Sequence, residues 1–477
     1  LLTESYRDEN GVARHRTILN LSKIPQDLSF TIEQQIKGNR MVSLESITQK
    51  DNRSLGEIGS LYRLAYRIGI VGILQKTLGK QIASLVLAMV INRISLPKAR
   101  YSLREWLETT YLPEMLEVPL EEFHHNRLYH ALFKLTDKQE EIEDKLWEKT
   151  KQQEQSLTLM LYDITSTYLE GEQNELGAYG YSRDKKKGKK QLVVGLVTTP
   201  QGVPVTVEVL PGNTTDKTTL LAKIEELKKR FSLTEIVYVF DRGMADEDKL
   251  ETLRARSIKY ITALKRGEIR KLIDNGAPIQ LGMFDKQNIA EYATNNKRYI
   301  ICKSDCEDKA KKKRELLLAK TEEELDKIKT SIAKKQLKDP LKIAARAERH
   351  LNRFKMKKYF QIEIKERHFS YSRKKDYEEE ADILDQLYVL ETTEKELPAE
   401  KAQQGYKNLS VIERDFRTIK SSLDIRPVNH VKKETTKGHI FVCFLALYLK
   451  RELEKQLNPL LKQKHTFSSL LTQLKRY

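Results

Sequence analysis

The order of apolar runs between residues 157 and 264 limits this chain more than any other feature. Residues 157–162 form a continuous apolar run followed by Asp163, the pattern of a buried strand. Residues 191–198 and 204–210 read as two more strands joined by a turn at Gly202, and Pro211-Gly212-Asn213 closes the meander. A helix over 217–230 then leads into a strand over 236–240, which stops at Asp241-Arg242-Gly243. A helix over 246–256 and a strand over 260–264 complete the series.

Three meandering strands followed by helix, strand, helix and strand is the order expected of a ribonuclease-H-like fold. The fold class is therefore α/β, with such a catalytic core over residues 156–264 and 406–477. The 477-residue chain has room for more. Asn10-Gly11 is a turn signal between two strand-like runs, 4–8 and 12–21, so residues 1–55 read as an N-terminal β-hairpin module. Residues 56–155 are helical in pattern, broken at Pro97 and Pro113, and suit a DNA-gripping domain as well as a packing or dimerisation domain. Residues 265–405 interrupt the core as an inserted mixed α+β domain. Its strands are expected at 298–303, 360–365 and 386–391, and its two Lys-rich helices at 309–337 and 341–354, broken at Pro340. Leu318, Leu325, Ile328 and Ile332 give the first of these helices an apolar face.

Charge narrows the partner. Lys plus Arg number 86 against 68 Asp plus Glu, a net charge of +18, and residues 303–358 alone carry 19 basic and 10 acidic side chains. Such an excess favours nucleic acid over a membrane, because no basic amphipathic segment stands out. The longest apolar runs, 81–94 and 440–449, also fall short of the roughly 20 residues that span a bilayer. Three cysteines are too few for a disulfide scaffold, so the cytoplasm, beside the nucleoid, is the expected home. Cys302 and Cys306 lack a second ligand pair for zinc. The chain opens at Leu1 in strand-like sequence, so a few preceding residues are expected to be missing.

Chemistry enters with three carboxylates. Asp163 and Asp241 end strands that lie side by side if the two are neighbours in one sheet. In the stretch from Tyr406 onward, Leu409, Ile412, Phe416, Ile419 and Leu423 recur at steps of three and four, the buried stripe of a helix. Tyr406, Glu413 and Lys420 recur at steps of seven along one edge of that stripe. Each acid alone is an ordinary surface, strand-end or helix-cap residue. Brought together they repel unless cations intervene, and hard divalent ions such as Mg²⁺, or Mn²⁺ in its place, take oxygen ligands. Two such ions about 4 Å apart neutralise the attacking and leaving oxygens in phosphoryl transfer. The run Lys185, Lys186, Lys187, Lys189 and Lys190, in the loop after Arg183, is a candidate DNA contact near Asp163, or else an exposed connection between strands.

The segments Tyr162-Asp163-Ile164-Thr165-Ser166-Thr167, Pro211-Gly212-Asn213-Thr214-Thr215-Asp216, Phe240-Asp241-Arg242-Gly243-Met244 and Tyr406…Glu413…Lys420 resemble bacterial insertion-sequence transposases of the DDE class. Within that class the chain is similar to the branch with a large insertion between the second Asp and the Glu, here 172 residues apart. The resemblance implies that Asp163, Asp241 and Glu413 are the catalytic, metal-binding triad. It implies a Mg²⁺-dependent enzyme that nicks the element's terminal inverted repeats, transfers the freed 3′ hydroxyl to target DNA, and assembles on double-stranded DNA as a homodimer. Tyr406 and Lys420 match the family's Tyr-x2-Arg-x3-Glu-x6-Lys signature, which implies phosphate-positioning roles. The signature's Arg falls on Leu409, so a cation must come from elsewhere, with Arg242, Arg414 and Arg417 as candidates. Where Ser410 stands, close relatives often carry an aromatic, so no stacking side chain for a flipped base is evident. Two other readings stay open: a ribonuclease-H-like nuclease or resolvase without strand transfer, and a DNA-binding derivative that has lost catalysis.

Overall fold

The computed structural model describes all residues except 21, 23, 39–52, 98–101, 154–158, 232–235, 245, 278–288, 295–296, 305–306, 366–367, 458–466 and 475–477. The chain divides into two units, Leu1–Arg53 and Ser54–Tyr477. In the first, β1 (Leu2–Arg7) and β2 (Ala13–Leu19) pair antiparallel around a turn where Gly11 takes a φ of 77°, a conformation that costs glycine little. Arg14–Asp8 and Arg16–Glu4 ion pairs brace this hairpin, and α1 (Gln26–Ile36) follows.

The second unit opens with the expected helices: α2 (Gly56–Arg67), α3 (Ile70–Leu78), α4 (Lys80–Ser95), α5 (Leu103–Glu108), α6 (Leu112–Leu116), α7 (His125–Asp137) and α8 (Gln139–Gln153). Every residue of α4 from Ala83 to Ile94 is buried, so this helix is spent on packing. It lies against α3, α7 and α17 (Lys433–Leu457), whose apolar middle is buried as well.

The core sheet follows the expected order. β3 (Leu159–Tyr168), β4 (Gln191–Thr198) and β5 (Pro204–Pro211) form an antiparallel meander. After α9 (Asp216–Phe231), β6 (Val237–Phe240) runs parallel beside β3. After α10 (Glu247–Ala255), β7 (Tyr260–Ala263) runs parallel beside β6. Alternation along the strands sends Met160, Tyr162, Tyr238 and Phe240 to the face covered by α9 and α10. Leu159, Leu161, Val237 and Val239 go to the other core, shared with α17 and with α15 (Ala399–Lys407) and α16 (Leu409–Ser421).

The insertion consists of α11 (Arg266–Asp274), β8 (Ile289–Ala293), β9 (Arg298–Lys303), α12 (Glu307–Ala333), α13 (Pro340–Phe354), β10 (Phe360–Lys365), β11 (His368–Arg373), α14 (Lys375–Gln386) and β12 (Leu387–Thr392). Only part of it is separate from the core. β12 pairs antiparallel with β7 on one side and β9 on the other, giving one eight-stranded sheet in the order β5-β4-β3-β6-β7-β12-β9-β8. The remainder, α12, α13, α14 and the β10–β11 hairpin, has its own core around Leu318, Leu325, Ile328, Ile343, Leu351 and Phe369. Pro340 opens α13 rather than merely breaking a longer helix, and Asp339 caps it by accepting the Leu341 N–H. A last helix, α18 (Phe467–Leu474), lies near α2. Among the described residues no helix is long and apolar enough to cross a membrane.

Candidate active site

Register brings the two aspartates together. Tyr162 of β3 lies opposite Phe240 of β6, the last pair of their parallel ladder, and the next residue on each chain is an Asp. Asp163 shares the side of Leu159 and Leu161, and Asp241 that of Val237 and Val239, the face that α15 and α16 cover. Asp163 is not at a strand end, as its sequence suggested. β3 continues to Tyr168, and Asp163 sits mid-strand opposite Leu196 of β4. What ends there is β6, and its chain turns away to leave the sheet open. The Ile164 N–H donates to Asp163 Oδ1 at 2.8 Å and the Gly243 N–H to Asp241 Oδ2 at 3.2 Å.

Glu413 reaches the same place from α16, which packs on β3 through the buried stripe Ile412, Phe416 and Ile419. A cleft of about 660 Å³ is lined by Asp163, Asp241 and Glu413, with Arg183, Tyr388, Tyr406, Lys407, Leu409, Ser410, Arg417 and Lys420 around them. The helix carrying the seven-residue spacing is in fact two: α15 ends at Lys407, α16 begins at Leu409, and Asn408 joins them. Its φ of −69° and ψ of −11° stay near helical values, so Tyr406, Glu413 and Lys420 still share the cleft. Leu409 is half-buried at the end of the stripe, packed against the core and also lining the cleft wall. α15 lies so close to the sheet that a Cβ on Gly405 would come within 2.8 Å of Leu159 Cδ1.

The Tyr406 hydroxyl donates to Asp241 Oδ1 at 3.4 Å, and its ring stacks against Tyr388 with centroids 6.2 Å apart. Burial, and then the Asp241 carboxylate, hold this phenol above its ordinary pKa, so it remains a donor. Lys420 Nζ lies 2.8 Å from Asp184 Oδ1, and the same oxygen takes Arg426 Nη1 at 2.6 Å. Burial lowers the Lys420 pKa, and the Asp184 carboxylate opposes that fall.

The other expected DNA contacts divide. Arg417 lines the cleft. Arg242 is exposed and borders an adjoining pocket with Lys265 and Lys271, near enough for its charge to act on the Tyr406 phenol. Arg414 does not line the cleft; its charge is felt by Lys450 and Arg451 of α17. The lysine run also lies outside the cleft lining. Lys189 pairs with Glu170 at 2.6 Å, Lys190 donates to the Glu172 carbonyl at 2.6 Å, and Lys186 sits over the Tyr168 ring. Lys185 and Lys187 are exposed. It is Arg183, just ahead of them, that the loop delivers to the cleft, through a 2.8 Å bond from its N–H to Ser166 Oγ.

In kind, the donors fit a hard divalent cation: three carboxylates, with no His or Cys lining the cleft. Among the described residues no three Asp, Glu, His or Cys side chains converge around one point closely enough to enclose an ion. Mg²⁺ ordinarily takes only one or two carboxylates and fills its other places with water and phosphate oxygens.

Sheet order and cleft together define a ribonuclease-H-like protein with an acidic centre. Residues 154–449 match the transposase DDE domain model, and the chain belongs to that family: it is a DNA transposase of the DDE type. Among solved structures it is similar to a piggyBac transposase synaptic complex with hairpin DNA, at 7% identity and a TM-score of 0.37, covering 83% of this chain and 70% of that one. It is also similar to a Mos1 transposase paired-end complex with left transposon end, at 10% identity and a TM-score of 0.16, covering 50% and 68%. No curated protein gives a significant match.

Proposed function

We propose that this transposase cleaves DNA at the ends of an insertion sequence and joins the freed 3′ hydroxyl to target DNA, using Mg²⁺ or, in its place, Mn²⁺. The observation that carries this reading is the single cleft lined by Asp163 of β3, Asp241 beyond β6 and Glu413 of α16. These three side chains would hold the divalent ions, which when bound neutralise charge on the attacking and leaving oxygens.

The chain's own residues supply the rest. Tyr406, kept protonated, bonds Asp241 only at 3.4 Å and can donate to a phosphate oxygen instead. Arg183 and Arg417 bring permanent charge to the cleft wall, and Lys420 adds an ammonium braced by Asp184. Arg417 takes the place of the signature cation that Leu409 lacks. Arg242, from the adjoining pocket, reaches phosphates further along the strand, and Arg414 with Lys185, Lys186, Lys187, Lys189 and Lys190 flanks the path. Joining two element ends calls for a homodimer assembled on double-stranded DNA.

The test is to incubate the purified chain with Mg²⁺, a supercoiled plasmid and a duplex bearing the inverted repeats that flank its coding region. Plasmid-joined duplex is the expected product, lost in EDTA. Nicking without joining would make the protein a nuclease, and intact DNA in a stable complex would make it a binding protein.

A further inference from the structure

The positive charge of the insertion is bonded unevenly. On α12, Lys327 pairs with Glu323 and Glu324, Lys329 with Asp326, and Arg314 with Asp382 and Asp385. α13 differs. Lys342, Arg346, Arg349 and Arg353 recur at steps of four, three and four, which places them on one face, and all four are exposed. Among the described residues none of them forms an ion pair with a carboxylate, and Glu348, the one acid on the helix, is taken by Lys357. Like charges at such spacing repel one another and destabilise a helix. Among the described residues α12 offsets part of its charge with its own acids and with Asp382 and Asp385 of α14, although its exposed Lys312, Lys313 and Lys320 form no ion pair. Of the four α13 cations only Arg353 acts there on a carboxylate, Glu324 of α12.

The face is also held rigid. Ile343, Ala347 and Leu351 on the opposite side are buried in the insertion's core, and Asp339 caps the first turn. From Lys342 to Arg353 the stripe extends about 16 Å at 1.5 Å per residue, long enough to meet more than one phosphate of a DNA strand. Ala345 and Asn352, also exposed, keep the surface between the cations low. Three of the four cations are Arg, whose planar fork suits phosphate oxygens. None of the four lines the cleft.

We propose that this face of α13 is a docking surface for the phosphate backbone of duplex DNA, gripping it outside the cleft. The proposal rests on the DNA-cleaving reading above, and the following experiment separates the two. Binding of the full chain to a labelled random-sequence 30-base-pair duplex is measured in EDTA across a salt series, for wild type, Lys342→Ala/Arg346→Ala/Arg349→Ala, Arg346→Lys/Arg349→Lys and Lys327→Ala. Alanine at exposed helix positions preserves the fold, which an unchanged thermal melt confirms.

The triple variant is expected to bind about tenfold or more weakly at 0.1 M salt, with a log–log salt slope shallower by about two to three. The lysine pair, which keeps the charge, is expected to keep the wild-type salt slope, and Lys327→Ala to stay near wild type in both readouts. A triple variant with the wild-type slope would overturn the proposal and leave α13 a solvated face. A wild-type chain whose duplex binding ignores salt would overturn this proposal and the DNA-cleaving reading together.

Discussion

Lys420 keeps an ammonium in a half-buried position because the Asp184 carboxylate lies 2.8 Å away. Burial alone drives its pKa down, so loss of Asp184 lets the proton leave at lower pH. In Asp184→Asn the alkaline limb of the DNA-cleavage pH profile is therefore expected to move to lower pH, and Lys420→Arg to remove that limb. An unmoved limb in Asp184→Asn would show that Lys420 charge does not limit the reaction. Asp184 itself was not legible in the sequence, and neither was the placement of Arg183. Their loop has no hydrophobic period, and contacts to Ser166, Lys420 and Arg426 position it. The acids were legible for the opposite reason: each stands beside an apolar pattern whose burial dictates where the next side chain points.

Among the elements, most core strands and helices emerged from sequence near their observed limits, since buried strands and amphipathic helices have distinct periods, but β3 runs on to Tyr168 beyond the expected end and the helix carrying Glu413 is split at Asn408. The insertion's topology did not. Residues 298–303 and 386–391 were legible as strands, yet nothing local says that β12 would pair with β7 and extend the core sheet. β8, β11, α11 and α14, elements of five to twelve residues with much of their length exposed or half-exposed, went unrecognised. α16 carries Glu413 and is clamped to α17 by a buried ion pair, Asp415–Arg451. Removing one partner strands a buried charge, so Arg451→Met is expected to cost about 3–5 kcal/mol in chemical denaturation. Asp415→Leu combined with Arg451→Met is expected to recover much of that loss. A cost below about 1 kcal/mol for the single variant would mean that the pair is solvated in solution.

At the scale of the whole molecule, one eight-stranded sheet receives its acids from three distant parts of the chain, and the insertion between the last two is tied into the same sheet. The carboxylates therefore depend on tertiary folding for their proximity, and their joint action is the claim on which the rest stands. The direct measurement is Mg²⁺-dependent cleavage of end-repeat DNA by Asp163→Asn, Asp241→Asn and Glu413→Gln, with duplex affinity measured on the same samples. Each variant is expected to lose cleavage by at least about a hundredfold while its affinity stays within about threefold of wild type. Wild-type cleavage by any one of the three would contradict the shared site.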